Sequence, residues 1–191
     1  GLYRRIMAVY TEVSDDELGA FVAQYDIGAV KYYKGIAEGV ENSNYLLSTD
    51  CGSYILTLYE KRVERNDLPF FLGLMDHLAA NKFPCPTPIH GRDGVALRDL
   101  CDRPAAIVTF LNGMWPRQIN PSNCHALGEA AARLHVAAKN FTLERENNLS
   151  LSGWKTLAAE TEVGANEVVT ELQQTVAGEV TYLCLLYTSP R

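Results

Sequence analysis

Lys34-Gly35-Ile36-Ala37-Glu38-Gly39-Val40-Glu41-Asn42-Ser43-Asn44-Tyr45 places two glycines four residues apart in a short polar turn. A β-branched and aromatic run, Val30 to Tyr33, precedes it, and a second, Tyr45 to Leu47, follows. The stretch reads as a hairpin whose turn carries little side-chain bulk. Such a turn can bring backbone N–H groups against a phosphate. An ordinary surface hairpin has the same pattern, so the flanking sequence decides between the two.

Before the hairpin, Ser14-Asp15-Asp16-Glu17 is a capping box, with Val13 and Leu18 placed as a hydrophobic staple. Leu18, Phe21, Val22 and Tyr25 then form one helical face that ends near Asp26 to Gly28. Strands are expected over about 29–35, 44–49 and 53–60, with Asp50-Cys51-Gly52 as the second turn. Tyr54 to Tyr59 is mostly apolar and predicts a central strand. Asp67 opens a helix with Pro69 in its first turn, and Phe70, Phe71, Leu74, Met75 and Leu78 recur at helical spacing. Pro84-Cys85-Pro86-Thr87-Pro88 forces an extended connector. Two more strands follow, Val95 to Leu100 and Ala105 to Leu111, and then a loop, Asn112 to Pro116. Asn120-Pro121 starts a long helix, with Leu127, Ala130, Ala131, Leu134, Ala138 and Phe141 on one face. Weaker helical patterns cover about 153–160 and 164–183. Strands followed by helices define an α+β chain: a five-stranded antiparallel sheet with a helix inserted after its third strand, joined to a helical lobe.

The bulk numbers narrow the function. The chain has 191 residues, 47% of them hydrophobic, with a net charge of −6. That charge argues against a nucleic-acid binder, which needs a basic face. The five cysteines are widely spaced with no Cys-x-x-Cys, and the four histidines form no His-Glu-x-x-His, so neither a disulfide framework nor a metal site is expected. No apolar run has membrane-spanning length, and the chain reads as cytoplasmic. Met7 reads as the true start, with residues 1–6 a non-native leader.

Beyond these patterns, several segments carry a resemblance. They are Met7 to Val13, Gly35 to Asn44, Tyr54 to Arg62, Asp67 to Phe71, Pro84-Cys85-Pro86, and Leu127-Gly128-Glu129-Ala130-Ala131-Ala132-Arg133-Leu134-His135. On these the chain resembles the homoserine kinase family of the aminoglycoside phosphotransferase/choline kinase superfamily, over about residues 7–183. The resemblance implies a protein-kinase-like fold, with a nucleotide-binding lobe over 7–111 and a hinge plus partial helical lobe over 112–183. It implies transfer of the γ-phosphoryl group of ATP, with Mg²⁺, to the side-chain hydroxyl of L-homoserine. Gly35, Glu38, Gly39, Asn42, Ser43 and Asn44 would then cover the phosphates. Thr109-Phe110-Leu111-Asn112-Gly113 would be the hinge, where backbone groups of Thr109 and Leu111 meet the adenine edge and Gly113 keeps the cleft open.

Three departures accompany the resemblance. The third-strand position where the superfamily carries a Lys or Arg reads Thr57, with Lys61 and Arg62 beyond it. No acid faces inward from the helix after Asp67, and Asp76 is expected to be solvated. The family's catalytic His-x-Asp loop and the Asp-Phe metal segment do not occur in the 191 residues, so no catalytic and no metal-binding residue is assigned. The family pattern stops near Leu183, and residues 184–191 read as an artefactual tail, so this fragment is expected to be inactive alone. Two other readings are a kinase of another hydroxylated amine, such as choline or an aminoglycoside, and a non-catalytic nucleotide-binding lobe. In the latter, Leu172, Val176, Val180 and Leu183 would be exposed apolar positions. His135, Trp115, Trp154 and Cys85 read as packing residues, Cys85 as a small apolar group rather than a nucleophile.

Overall fold

The computed structural model describes residues 11–36, 42–60, 64–114, 116–147, 150–161 and 167–188. Met7, Glu38, Gly39, Lys61, Arg62 and Trp115, and the expectations attached to them, lie outside the described residues. The chain divides into two compact units, one running to Leu143 and one beginning at Glu144. Residues 112–143, the first part of the expected hinge and partial helical lobe, fall in the first unit.

Helix α1 spans Asp15–Val22 and begins with the expected capping box: Ser14 and Glu17 exchange side-chain and backbone hydrogen bonds in both directions. Leu18, Phe21 and Val22 are buried on one face, and Val13, the other half of the staple, is buried with them. The chain reverses at Gly28, where φ is +79°. A Cβ there would lie 3.0 Å from the Cβ of Asp50, so glycine is required by both dihedral and space.

Strands β1 (Val30–Gly35), β2 (Asn42–Thr49), β3 (Ser53–Tyr59), β4 (Arg98–Leu100) and β5 (Arg103–Thr109) form one antiparallel sheet in the order β1-β2-β3-β5-β4. β3 is central, as its apolar run demands. The expected strand from Val95 is shortened to Arg98–Leu100. Residues 91–94 make a tight turn instead, with Gly94 at φ +80° and the Gly91 N–H donating to the Val95 carbonyl.

Alternation along the strands gives the sheet two different faces. Tyr45, Leu47, Leu56, Leu58, Ala105 and Ile107 pack with Leu18, Phe21, Val22 and Tyr25 into the main core under α1. The other face carries Ala106 and Tyr59, packed with Ala96, Leu97, Leu72 and Met75. The last two belong to α2, Leu68–Ala80, which follows a short 3-10 turn over Arg65–Asp67 rather than starting at Asp67 itself. Each large apolar side chain buried this way contributes about 1.5–3 kcal/mol of transfer free energy.

Helix α3, Pro121–Ala137, starts as the Asn-Pro pair predicts: Asn120 and Asn123 cap each other reciprocally. Its apolar periodicity does not translate into burial, since no α3 residue is buried and Leu127 is 72% exposed. The first unit closes through α2: His77 Nε2 lies 3.0 Å from the Ala137 carbonyl, and Phe141 stacks edge-on against Phe70. In the second unit α4 (Leu151–Thr161) contacts α5 (Glu167–Thr188), which continues unbroken through residues 184–188. Leu172 and Val176 are exposed there, while Val180 and Leu183 are half-buried.

Candidate functional site

The glycine turn grows from the β1–β2 pair. Gly35 is the last residue of β1 and sits opposite Tyr45, and the Ile36 N–H donates to the Asn44 carbonyl at 2.8 Å. The three polar residues that follow do not share a face. Asn44 pairs with Thr57, and Thr57 with Ala106, which places them on the α2 side of the sheet together with Asn42. Ser43 points the other way and is wholly buried.

On the α2 side the Thr57 hydroxyl donates to the Asn44 side-chain oxygen at 2.8 Å. A neutral hydrogen-bonded pair therefore stands where the resemblance leads one to look for a cation. Among the described residues, the Asn42 side-chain oxygen is buried without a hydrogen-bond partner.

On the opposite side the Ser43 hydroxyl donates to Glu60 Oε1 at 2.7 Å and accepts from the Thr11 N–H at 3.1 Å. Thr11 Oγ1 donates to the same Glu60 oxygen at 2.7 Å, and Arg103 Nε to Oε2 at 3.1 Å. The Ser43 side chain is thus committed to a protein network. Glu60 was missed as a site residue because an acid just past an apolar strand run reads as a solvated end. The weak signal was its position in Tyr59-Glu60-Lys61-Arg62.

The hinge segment lies at the far end of β5, with Thr109 opposite Tyr54. Its N–H donates to the Thr87 carbonyl and its hydroxyl accepts from the Thr87 N–H, both at 2.9 Å. Of the Thr109 backbone groups, the carbonyl is therefore the one left for a ligand. Leu111 is 48% exposed, and among the described residues its N–H has no protein partner. A Cβ on Gly113 would meet nothing within 4 Å, so the fold itself does not demand glycine there. From Ala106, level with Asn44, to Thr109 is three residues along β5, a span of roughly 10 Å at strand rise.

Asp76 corrects an expectation. It is not free in solvent: the 91–94 turn brings His90 onto α2, with His90 Nε2 3.0 Å from the Asp76 carboxylate and Nδ1 2.9 Å from the Gly94 carbonyl. Both ring nitrogens face acceptors, which only the imidazolium satisfies. The Gly94 carbonyl first, then Asp76, raise the His90 pKa above its ordinary 6.5. A histidine whose pKa is raised by folding stabilises below its unfolded pKa and loses that contribution as pH rises through the folded value. We expect the thermal stability difference between the parent chain and Asp76→Asn to be largest near about pH 6 and to shrink toward about pH 8. Thermal unfolding of both proteins across that range checks it, and a pH-independent difference would contradict it.

Cys85 is half-buried, with Sγ 3.5 Å from the Met75 carbonyl, and burial pushes its thiol up, away from the thiolate a nucleophile needs. Among the described residues no three His, Cys, Asp or Glu side chains come together to hold a metal. Among the same residues no helix is long and apolar enough to cross a membrane.

A small antiparallel sheet with a helix inserted after its third strand is a protein-kinase-like α+β arrangement. The chain belongs to the phosphotransferase enzyme family, which matches residues 33–182. It is 62% identical over 177 residues to a homoserine kinase of Paramagnetospirillum magneticum, covering 93% of this chain and 54% of that protein. It is 56% identical over 177 residues to a homoserine kinase of Bradyrhizobium diazoefficiens, covering the same shares. The chain thus spans about half the length of the curated relatives it matches. Among solved structures it superposes on a spectinomycin phosphotransferase, in complex with ADP and spectinomycin, with TM-score 0.58 at 10% identity. That match covers 90% of this chain and 55% of the other. A microcompartment-associated aminopropanol kinase gives TM-score 0.53 at 18% identity, covering 73% of this chain and 46% of the other. At such identities the likeness is one of fold.

Proposed function

We propose that this chain is the nucleotide-binding part of a kinase that transfers the γ-phosphoryl group of ATP to the side-chain hydroxyl of L-homoserine, a cytoplasmic step toward threonine. The observation that carries this reading is the 62% identity, over 93% of the chain, to a protein named homoserine kinase. The neighbours named for spectinomycin and aminopropanol are too distant to argue for another acceptor, since they share 10% and 18% identity.

Within this reading the work divides along the sheet. The adenine edge lies against the Thr109 carbonyl and the Leu111 N–H, one acceptor and one donor. The triphosphate extends toward the glycine turn, where Gly35, Glu38 and Gly39 let the backbone approach and Asn42, Ser43 and Asn44 line the turn's exit. The span of roughly 10 Å between the two suits a nucleoside triphosphate laid along the sheet. Phosphoryl transfer is mostly positioning and charge stabilisation. On this reading the chain contributes the positioning, and among its described residues no cluster gathers to hold a metal. The lobe assignment, 7–111 for the nucleotide and 112–183 for hinge and helices, belongs to the same reading. ATP and L-homoserine are its small-molecule partners, with no nucleic acid and no membrane among them.

Calorimetric titration of the 191-residue chain with ATP and with AMP tests it. ATP is expected to bind about tenfold more tightly or better, because only its outer phosphates reach the turn. Equal affinity for the two nucleotides, or no binding, would sink the reading of the turn.

A further inference from the structure

We infer that Lys34 is the residue whose charge meets the phosphates of a bound nucleotide, reaching them from the edge strand β1. The inference rests on the reading of the α2 side of the sheet as nucleotide-binding. A triphosphate carries several negative charges, and the chain itself has a net charge of −6. Such an anion is held where a local cation offsets that background. Four cations stand on the described strands: Lys31 and Lys34 on β1, Arg98 on β4 and Arg103 on β5. Lys31 pairs with Asp50, Arg98 with Asp93 and Arg103 with Glu60. Among the described residues no carboxylate pairs with Lys34, which is exposed.

Register turns Lys34 toward Asn44 and Thr57. Its neighbours Tyr33 and Gly35 lie opposite Leu47 and Tyr45, both buried in the main core. Lys34 lies opposite Leu46, so alternation sends both side chains to the other face, the one that carries Asn44 and Thr57. Asn44 is two residues from Leu46, about 6–7 Å along β2, and paired strands stand about 5 Å apart. The flexible four-carbon stem of a lysine covers most of that diagonal. On β3 the Thr57 hydroxyl donates to Asn44 Oδ1 at 2.8 Å, which occupies the acceptor end of the amide and leaves Nδ2 as a donor. An amide N–H and an ammonium on one face suit a phosphate, and the ammonium supplies the stronger, charge-assisted bond. β3 brings a hydroxyl to this place, so the charge comes from β1. A lysine on an edge strand also discourages pairing with a second sheet. Lys31 serves that purpose on the same strand, which makes it the control.

Titrations with ATP and with adenosine, which carries no phosphate, compare the parent chain with Lys34→Met, Lys34→Gln, Lys34→Arg, Lys31→Met and Lys61→Met. Circular dichroism checks that each is folded, and either neutral Lys34 variant suffices if the other is not. ATP affinity is expected to fall about tenfold in Lys34→Met and Lys34→Gln, and to stay within about threefold in Lys34→Arg. Lys31→Met and Lys61→Met should stay within about twofold, and adenosine affinity within about twofold throughout. ATP binding by the parent should also weaken more steeply with salt than binding by Lys34→Met. An equal ATP loss in Lys31→Met means a diffuse field rather than a contact, and it overturns the inference. A loss found in Lys61→Met and not in Lys34→Met overturns it too, as does a parallel loss of ATP and adenosine. If the parent prefers ATP and Lys34→Met keeps that preference, the inference fails alone. If the parent binds ATP no more tightly than adenosine, the nucleotide reading fails first and the inference falls with it.

Discussion

Supplied with ATP and L-homoserine, the purified 191-residue chain is expected to release ADP at least about 10³-fold more slowly than a curated relative of full length. The physical reason is the division of labour in phosphoryl transfer. A positioned acid–base group contributes about 10²–10⁴ in rate, and metal ions neutralise the charge that builds on the transferring phosphoryl. No His-x-Asp occurs anywhere in this sequence, and no metal-holding cluster forms among the described residues. On the proposed reading the sheet, the turn and the 109–113 segment would orient a nucleotide without activating a hydroxyl. A coupled assay of homoserine-dependent ADP release, run beside a full-length relative, measures the ratio. Turnover within tenfold of the relative would mean that residues of this chain carry the chemistry after all. ATP binding without turnover is the expected combination.

Replacing Tyr25 by Ala is expected to destabilise the first unit by about 3–5 kcal/mol, the range for removing a large aromatic from a core. Tyr25 is 2% exposed, tilts against Phe21 with ring centroids 5.5 Å apart, and lies beneath the Arg98 guanidinium at 5.3 Å. Arg98 is itself a staple: Nη1 donates to the Gln24 side chain at 2.8 Å and Nη2 to Asp93. Gly91 leaves the space this needs, because a Cβ there would collide with Nη2. Truncating Tyr25 opens a cavity and removes the ring from beneath a mostly buried cation. Tyr25→Phe is the control and should cost little, since the hydroxyl reaches the Ala96 carbonyl only at 3.5 Å. The pair also predicts an alkaline signature. Burial, opposed by Arg98, pushes the Tyr25 phenol up to about 12 from 10. Folding thus favours its neutral form, and that contribution, complete below pH 10, is lost as pH rises through about 12. Chemical denaturation of parent, Tyr25→Phe and Tyr25→Ala checks both parts. The alkaline loss should be smaller in Tyr25→Phe, and a Tyr25→Ala variant within 1 kcal/mol of the parent would refute the account.

The elements that could be read in advance are those governed by near neighbours. Ser14 and Glu17, three residues apart, cap their helix as expected, and Asn120 caps α3 as the Asn-Pro pair predicts, with Asn123 as a reciprocal partner found only in the structure. The apolar run Tyr54 to Tyr59 became the central strand because nearly every position along it has something to bury against. The same logic failed where periodicity outran burial. Leu127 keeps helical spacing in α3 yet is 72% exposed, since spacing specifies a face but not what covers it. Val95 to Leu97 is strand-like in composition, yet the 91–94 turn claims its start. The candidate site was legible only in outline. Gly35 at the end of β1 and the Asn42–Asn44 segment beginning β2 follow from the hairpin pattern, but which way each side chain points depends on register.

By itself the sequence determined the hairpin, the helix caps, the order of strands and helices, and membership of the phosphotransferase family, because each rests on residues close together along the chain or on direct identity. Only the tertiary structure decided that Ser43 turns inward to Glu60, 17 residues on, that His90 reaches Asp76 across 14, and that Arg98 finds Gln24 across 74. Backbone propensity and side-chain spacing act over a few residues. Hydrogen bonds between distant segments exist only once the sheet has brought their strands into register, and in this chain those bonds hold the ends of the candidate site.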